Sequence, residues 1–317
     1  MDKTSTVGSW VRAPRLRSGD KIAVIAPSGP VPRAALEAGA AELRRLGLRP
    51  EWDESLFERR MFFAGTDERR RAEIERAFAD PDAAGVFAAR GGGGASRLVP
   101  LAALSALVKR PRVFSGFSDI TYLHQAMQKA RLVSFYGPMV AWDLARGAGA
   151  AGGYDGALFR RLLLDGEPGG PLSPSGAGAI RPGRAEGRLA GGCLSLLSAC
   201  VGTEVSPQFE GAVVVLEDEN ESPNRVERFL THLKQAGALR GARAFVLGDF
   251  PGCEPKPGTD TTVREVLEEF FADFAGPVVW GFPIGHTARP NLTIPLGTAA
   301  RVDAASGVLD LLEPACL

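Results

Sequence analysis

Ser118 stands where a predicted strand, residues 113–114, passes into a predicted helix, residues 119–127. Gly116 lies two residues before it and permits the cramped backbone that such a turn needs. A serine here projects its hydroxyl beyond the sheet edge, and the N-terminus of the helix offers free N–H groups to a developing oxyanion. This arrangement predicts a nucleophile elbow, although the second glycine of G-x-S-x-G is missing. The alternative is that Ser118 or Asp119 only caps the helix.

Two further side chains have the chemistry to activate a serine. His286 lies in a loop after a predicted buried strand, where catalytic groups are commonly presented, whereas His124 and His232 fall inside amphipathic helical patterns. Glu217 ends a Val-rich apolar run and is therefore placed to reach a cleft. The alternative for His286 is a hydrogen-bonded loop histidine without a catalytic role. The alternative for Glu217 is that it only belongs to an acid-rich turn, residues 217–221. That turn lacks the spacing and the glycine of a calcium loop.

Residues 91–94 are four consecutive glycines at the end of another predicted strand. The dinucleotide pattern fails because Ser96 occupies its third glycine position, and no Gly-Lys-Ser/Thr follows. A backbone without side chains can approach a substrate closely and donate N–H groups, which favours an oxyanion hole. A flexible turn is the alternative.

The chain order Ser118, Glu217, His286 is typical of a hydrolase triad. In that reading His286 takes the proton of Ser118, and Glu217 holds the imidazole tautomer and stabilises the imidazolium. Amides of the glycine loop and of Asp119 then bind the oxyanion.

The elements that must position these residues alternate between strands and helices in the first half of the chain, which predicts a parallel sheet covered by helices. Ligands of such sheets bind at the carboxyl ends of the strands. We expect an α/β fold with a Rossmann-like N-terminal parallel-sheet domain and a smaller C-terminal mixed α/β domain. The N-terminal domain (residues 1–165) would carry the nucleophile, and a Gly/Pro-rich linker would span residues 166–182. The C-terminal domain (residues 183–317) would carry the acid and the base.

Composition restricts the possible partners. Lys+Arg and Asp+Glu both number 37, so a general nucleic-acid or membrane-surface binder, which needs a basic excess, is not expected. The four cysteines form no CxxC, which argues against a disulfide scaffold and a zinc site. We therefore expect no metal and no cofactor. The first residues show no apolar signal-peptide region, and no apolar run reaches a membrane span, so the expected location is the cytoplasm.

Several strings, taken together and in order, resemble the LD-carboxypeptidase family, the serine peptidases that include the microcin C immunity proteins. They are Gly-Asp-Lys-Ile-Ala-Val-Ile-Ala-Pro-Ser-Gly, Phe-Ala-Gly-Thr-Asp, Arg-Gly-Gly-Gly-Gly, Gly-Phe-Ser-Asp-Ile-Thr, Tyr-Gly-Pro-Met, Leu-Glu-Asp-Glu and Gly-His-Thr. The resemblance implies a site between two domains, with the triad roles carried by Ser118, Glu217 and His286. It also implies oxyanion donors at the Asp119 amide and at an amide of Gly91 or Gly92, and a cytoplasmic, often dimeric protein.

The chain departs from the family pattern at three positions. Gly93 replaces the tyrosine of Arg-Gly-Gly-Tyr-Gly, Tyr136 replaces the histidine of His-Gly-Pro-Met, and Cys193 replaces the asparagine of Gly-Gly-Asn-Leu-Ser. The triad itself is intact. Because the missing tyrosine would line the substrate cleft, these departures affect the substrate and leave hydrolysis as the expected reaction.

The resemblance implies a serine carboxypeptidase that releases a terminal D-amino acid from an L-centre of murein peptides in cell-wall recycling, acting as a homodimer on a small peptide substrate. An immunity-type amidase acting on peptidyl-nucleotide antibiotics or acyl-sulfamoyl adenylates is the second reading. A catalytically idle peptide-binding protein is the third. An exopeptidase needs a cation for the substrate carboxylate, and Arg90 and Arg225 are the nearest arginines in sequence.

Overall fold

The computed structural model describes residues 9–98, 110–255, 257–258 and 260–317. Its strands are β1 (Lys21–Ile25), β2 (Arg49–Glu51), β3 (Ala83–Ala88), β4 (Val113–Gly116), β5 (Ser134–Tyr136), β6 (Gly170–Leu172), β7 (Gly178–Arg181), β8 (Arg184–Cys193), β9 (Ala212–Glu217), β10 (Ala244–Leu247), β11 (Val278–Trp280), β12 (Ile294–Leu296), β13 (Ala299–Asp303) and β14 (Val308–Leu311). Its α-helices are α1 (Arg33–Arg45), α2 (Asp67–Ala79), α3 (Thr121–Lys129), α4 (Gly156–Arg160), α5 (Leu194–Cys200), α6 (Pro223–Gln235) and α7 (Val263–Phe270).

The first sheet has the strand order β12-β5-β4-β3-β1-β2. Strands β1 to β5 pair in parallel, and β12 joins the edge antiparallel to β5. This sheet confirms the predicted parallel N-terminal architecture. The carboxyl ends of β3 and β4 lie side by side, so the glycine loop and Ser118, which follow these two strands, meet at one edge.

The second sheet has the order β6-β14-β13-β8-β9-β10-β11-β7. Its central strands β8 to β11 are parallel, and the outer strands pair antiparallel, which confirms the mixed C-terminal architecture. The segment 166–182 contributes β6 and β7 to the two edges of this sheet, and β12 returns to the first sheet. The domain boundaries given above stay a prediction.

The α-helix predicted from residue 119 begins at Thr121, after a short 3-10 turn. A 3-10 turn spans Ser118–Ile120 and continues directly into α3. After β3 and the glycine loop, a 3-10 turn spans Ala95–Leu98, and residues 99–109 lie outside the described part.

Strand β9 lies between two apolar cores, and its alternation decides where Glu217 points. Val213 and Val215 pack into the core that the first sheet also lines, whereas Val214 and Leu216 pack into the core beneath α6 and α7. Successive side chains of a strand point to opposite faces. Glu217 therefore lies on the side of Val213 and Val215, toward the first sheet.

Among the described helices, none combines the length and the apolar character that crossing a membrane requires.

Candidate active site

Ser118 occupies a strained turn between β4 and α3. Its φ is 64°, in the left-handed region that residues with a side chain rarely adopt. Such a conformation costs about 1–3 kcal/mol and persists only where the surrounding structure enforces it. This is the sharp strand-to-helix turn that the sequence predicted. The Ser118 N–H donates a 3.3 Å hydrogen bond to the hydroxyl of Tyr136.

Glu217 and His286 are in direct contact. The Glu217 Oε2 atom accepts hydrogen bonds from the backbone N–H of His286 at 2.9 Å and from its Nδ1 at 2.8 Å. Both side chains are buried. Gly285 has φ 68°, and a Cβ at this position would lie 2.5 Å from the Glu217 Cδ. The loop therefore closes on the carboxylate only because this residue is glycine.

Tyr136 completes a chain of hydrogen bonds that the sequence analysis missed. Its hydroxyl donates to Glu217 Oε1 while it accepts from the Ser118 N–H, so one side chain of β5 links the acid of one sheet to the turn of the other. Burial, followed by the charge of Glu217, raises the pKa of Tyr136 well above its usual value, which keeps the hydroxyl protonated as a donor. The only signal in the sequence was the departure from the His-Gly-Pro-Met pattern.

His286 has a second acid at its other ring nitrogen. Its Nε2 lies 3.0 Å from Glu219 Oε1. Burial of the imidazole lowers its pKa, but the charge and hydrogen bond of Glu217 and the hydrogen bond of Glu219 outweigh that effect and raise the pKa of His286 to about 10. The hydrogen bond to His286 lowers the pKa of Glu219. The sequence analysis placed Glu219 only in the acid-rich turn.

The glycine loop packs against the Ser118 side chain. A Cβ built on Gly91 would lie 2.7 Å from Ser118 Cβ, 2.8 Å from its Oγ and 3.5 Å from the Asp119 nitrogen. The buried Asp119 carboxylate holds this arrangement, since its Oδ2 accepts hydrogen bonds from Ser28 Oγ at 2.6 Å and from the Ala95 N–H at 2.8 Å. The backbone of Gly91 therefore lies close to the Ser118 side chain and to the Asp119 nitrogen.

The remaining acids and histidines of the sequence analysis have other partners. Asp218 points away from Glu217: its carboxylate accepts the Ser195 N–H at the start of α5, at 2.7 Å. Burial, followed by the charge of Glu217, raises the pKa of Asp218 to about 6. His124 is buried between Ser134 Oγ and the Gly116 carbonyl, both at 2.8 Å, and burial lowers its pKa to about 4.

His232 Nδ1 lies 2.8 Å from Ser198 Oγ, which ties α6 to α5. Its position on the helix agrees with a structural role.

The two candidate arginines lie in different settings. Arg90 donates to the Pro30 carbonyl at 3.3 Å, and its Nε is buried without a hydrogen-bond partner. Arg225 is half-exposed and pairs with Glu221 at 2.5 Å.

Cys193, Glu217 and His286 lie close enough to resemble a metal-ligand set, with one donor atom of each within 4.8 Å of the others. The donor atoms are already engaged, because both Glu217 oxygens accept hydrogen bonds and His286 Nδ1 donates one. Burial, followed by the charges of Asp218 and Glu217, raises the pKa of Cys193 well above its usual value, and a protonated thiol is a poor ligand. The group is therefore better described as part of the hydrogen-bonded site.

A cavity with a volume of about 890 Å³ lies away from the active-site residues. That cavity is lined by Trp10, Gln125 and Arg188 among others, and by none of Ser118, Glu217 and His286.

Comparison with known proteins identifies the family. Residues 22–137 match the LD-carboxypeptidase N-terminal domain and residues 186–302 match the LD-carboxypeptidase C-terminal domain. A putative carboxypeptidase of Streptomyces coelicolor is 38% identical over 96% of this chain and 97% of its own length. A probable murein peptide carboxypeptidase of Bacillus subtilis is 33% identical over 92% of this chain and 91% of its own length.

Solved structures show the same fold. The muramoyltetrapeptide carboxypeptidase of Oxalobacter formigenes superposes with a TM-score of 0.79 at 32% identity, over 93% of this chain and 99% of that one. The microcin C7 self-immunity protein superposes with a TM-score of 0.85 at 23% identity, over 97% of this chain and 100% of that one, and this similarity concerns the fold alone. Both family domains and these relatives together show that the chain is an enzyme of the LD-carboxypeptidase family.

Proposed function

We propose that this enzyme is a serine carboxypeptidase that hydrolyses an L-D peptide bond through Ser118, His286 and Glu217. The observation that carries the proposal is the hydrogen-bonded path from the Ser118 N–H through Tyr136 to Glu217 and on to His286. This path supports the proposal because it connects the segments that carry the serine, the acid and the base, which come from two sheets.

In the proposed reaction, His286 Nε2 accepts the hydroxyl proton as Ser118 Oγ bonds to the scissile carbonyl carbon. Glu217, held by Tyr136, orients the imidazole and stabilises its positive charge. The amides of Asp119 and of Gly91 or Gly92 bind the oxyanion. The imidazolium then protonates the leaving amine, and the acyl-enzyme remains. Water, deprotonated by His286, attacks the ester and releases the shortened peptide.

The substrate class rests on the relatives. Proteins of similar sequence are named murein peptide and muramoyltetrapeptide carboxypeptidases, which supports a murein peptide with a terminal D-amino acid, as processed in cell-wall recycling. The second candidate is an immunity-type amidase, supported by the shared fold with a microcin self-immunity protein. The glycine loop is open at Gly93, where a Cβ would meet nothing within 4 Å, and this open side also supports the second candidate.

The deciding experiment incubates the purified protein separately with murein tetrapeptide and with processed microcin, and identifies the products by mass spectrometry. Loss of one terminal D-alanine from the tetrapeptide is the expected result. Cleavage of the antibiotic alone would assign the amidase function instead.

The substrate carboxylate needs a cation, and Arg90 is the better placed of the two candidates. It adjoins the glycine loop, is only partly buried and forms no ion pair among the described residues, whereas Arg225 already pairs with Glu221. Arg90→Ala should weaken turnover of a free-carboxylate peptide far more than that of its amide, with Arg225→Ala as the comparison. Equal losses on both peptides would reject Arg90.

We also propose that the enzyme works as a cytoplasmic homodimer without a nucleic-acid partner. The formal net charge of zero supports the last point. Light scattering during size-exclusion chromatography measures the molar mass in solution. The mass of a dimer is expected, and the mass of a monomer would contradict the proposed homodimer.

A further inference from the structure

Glu219 contacts Nε2 of His286, the ring nitrogen that accepts the Ser118 proton in the proposed mechanism. The Nε2 atom of His286 lies 3.0 Å from Glu219 Oε1, and in the described structure Ser118 Oγ makes no hydrogen bond to that ring. Glu219 has a side chain that is 41% exposed and stands two residues beyond Glu217, in the turn after β9. An incoming substrate can therefore reach Glu219, whereas Glu217 is fully buried.

The contacts of the two ring nitrogens indicate where the protons are. A carboxylate oxygen carries no proton to donate, so a 3.0 Å contact with Nε2 is attractive only when Nε2 bears a proton. The same argument applies to Nδ1, which lies 2.8 Å from Glu217 Oε2. Both ring nitrogens of His286 are then protonated. An imidazolium has no lone pair with which to accept the Ser118 proton.

We propose that Glu219 is a latch on His286: in the free enzyme its carboxylate holds Nε2 and slows the reaction of Ser118, and an incoming substrate that displaces this contact makes the site fully competent. The proposal rests on the proposed function, because it assumes that His286 is the general base. When the contact breaks, the pKa of His286 falls and Nε2 loses its proton to water more readily, so that more of the enzyme has the neutral ring whose lone pair accepts the Ser118 proton. Glu217 keeps its contact with Nδ1 throughout.

The other titratable groups around His286 cannot play this part. Glu217 faces Nδ1 and is held by Tyr136, whose buried hydroxyl stays protonated. The Cys193 thiol of β8 is neutral, because its pKa is raised. Of these neighbours, Glu219 is the one acid that contacts Nε2, and its removal should leave the Nδ1 contact intact.

The first test measures the ionisation of His286 itself, independently of any substrate. The chain has only three histidines, so imidazole NMR signals titrated with pH can be assigned with a His286→Gln variant. Glu219→Gln should lower the pKa of His286 by at least about one unit, because an opposite charge at this distance shifts a pKa by about 1–3 units. Glu221→Gln is the matched control: it removes an equal charge from the same turn, but Glu221 pairs with Arg225, and the pKa of His286 should not change.

The second test measures the reactivity of Ser118 with a fluorophosphonate probe. A pKa lower by one unit makes the neutral imidazole about tenfold more abundant at neutral pH, so Glu219→Gln should be labelled about tenfold faster than the wild type. Glu221→Gln should be labelled at the wild-type rate. An unchanged pKa of His286 in Glu219→Gln would overturn the latch, as would a lower pKa with no faster labelling. Absence of tetrapeptide hydrolysis, with both readouts as expected, would instead count against the proposed substrate alone.

Discussion

The Tyr136 hydroxyl donates a hydrogen bond to Glu217 across the boundary between the two sheets. Because the same hydroxyl accepts the N–H of Ser118, it sets the position of the acid relative to the nucleophile turn. Tyr136 is thus a positioning residue, because its hydroxyl contacts the Glu217 carboxylate and the Ser118 N–H and not the Ser118 hydroxyl or the imidazole of His286.

Tyr136→Phe should reduce kcat by about ten- to a hundredfold with little change in KM. A hydrogen bond to a charged group contributes about 1.5–3 kcal/mol, and about 1.4 kcal/mol corresponds to a factor of ten in rate. Steady-state kinetics on the tetrapeptide measure the effect. Tyr154→Phe is the control, since it also removes a hydroxyl bonded to a glutamate, Glu42 at 2.6 Å, outside the site. Equal kcat values for Tyr136→Phe and the wild type would show that Tyr136 has no positioning role in the reaction.

The glycine loop offers a matched pair of substitutions. Gly91→Ala should abolish most turnover, because the new Cβ would lie 2.7 Å from Ser118 Cβ and must displace the nucleophile or the loop. Gly93→Ala adds the same methyl group where nothing lies within 4 Å, so its turnover should stay near that of the wild type. Thermal unfolding of both variants checks that the fold survives. Similar activities for the two variants would contradict the close approach of Gly91 to Ser118.

Glu217 and Asp218 test the identity of the acid. Glu217→Gln should lose most of its turnover, and Asp218→Asn should keep far more, because Glu217 contacts His286 whereas Asp218 accepts the N–H of Ser195. Ser118→Ala should abolish turnover, and adding Glu217→Gln to it should cost little more, since such groups act as a unit. An active Glu217→Gln together with an inactive Asp218→Asn would move the acid role to Asp218.

Local sequence patterns predicted the candidate residues whose position is set by a single strand, turn or helix. They did not predict contacts that form only when separate segments pack together. The Ser118 turn follows from Gly116 and from the change of strand to helix, and Glu217 from the end of an apolar strand. The contact between Tyr136 and Glu217 joins residues 81 positions apart on different sheets, which no local periodicity encodes. Glu219 was visible only as one acid among several, because the fold of the turn decides which of them reaches His286.

Removal of metals should leave activity unchanged. Cys193, Glu217 and His286 lie within 4.8 Å of one another, but hydrogen bonds already engage both Glu217 oxygens and His286 Nδ1. Turnover after exhaustive chelation and dialysis should equal that of the untreated enzyme. A loss of turnover that added zinc restores would contradict the serine mechanism and assign these three residues to a metal.

Covalent labelling of Ser118 is the sharpest test of its role as the nucleophile. The protein is treated with a fluorophosphonate, and the intact mass and the peptide map are measured for the wild type and for Ser118→Ala. We predict one adduct, on Ser118, in the wild type and none in Ser118→Ala, with circular dichroism showing both proteins folded. An unlabelled Ser118 in the folded wild type, over the full pH range in which the protein is stable, would contradict the account.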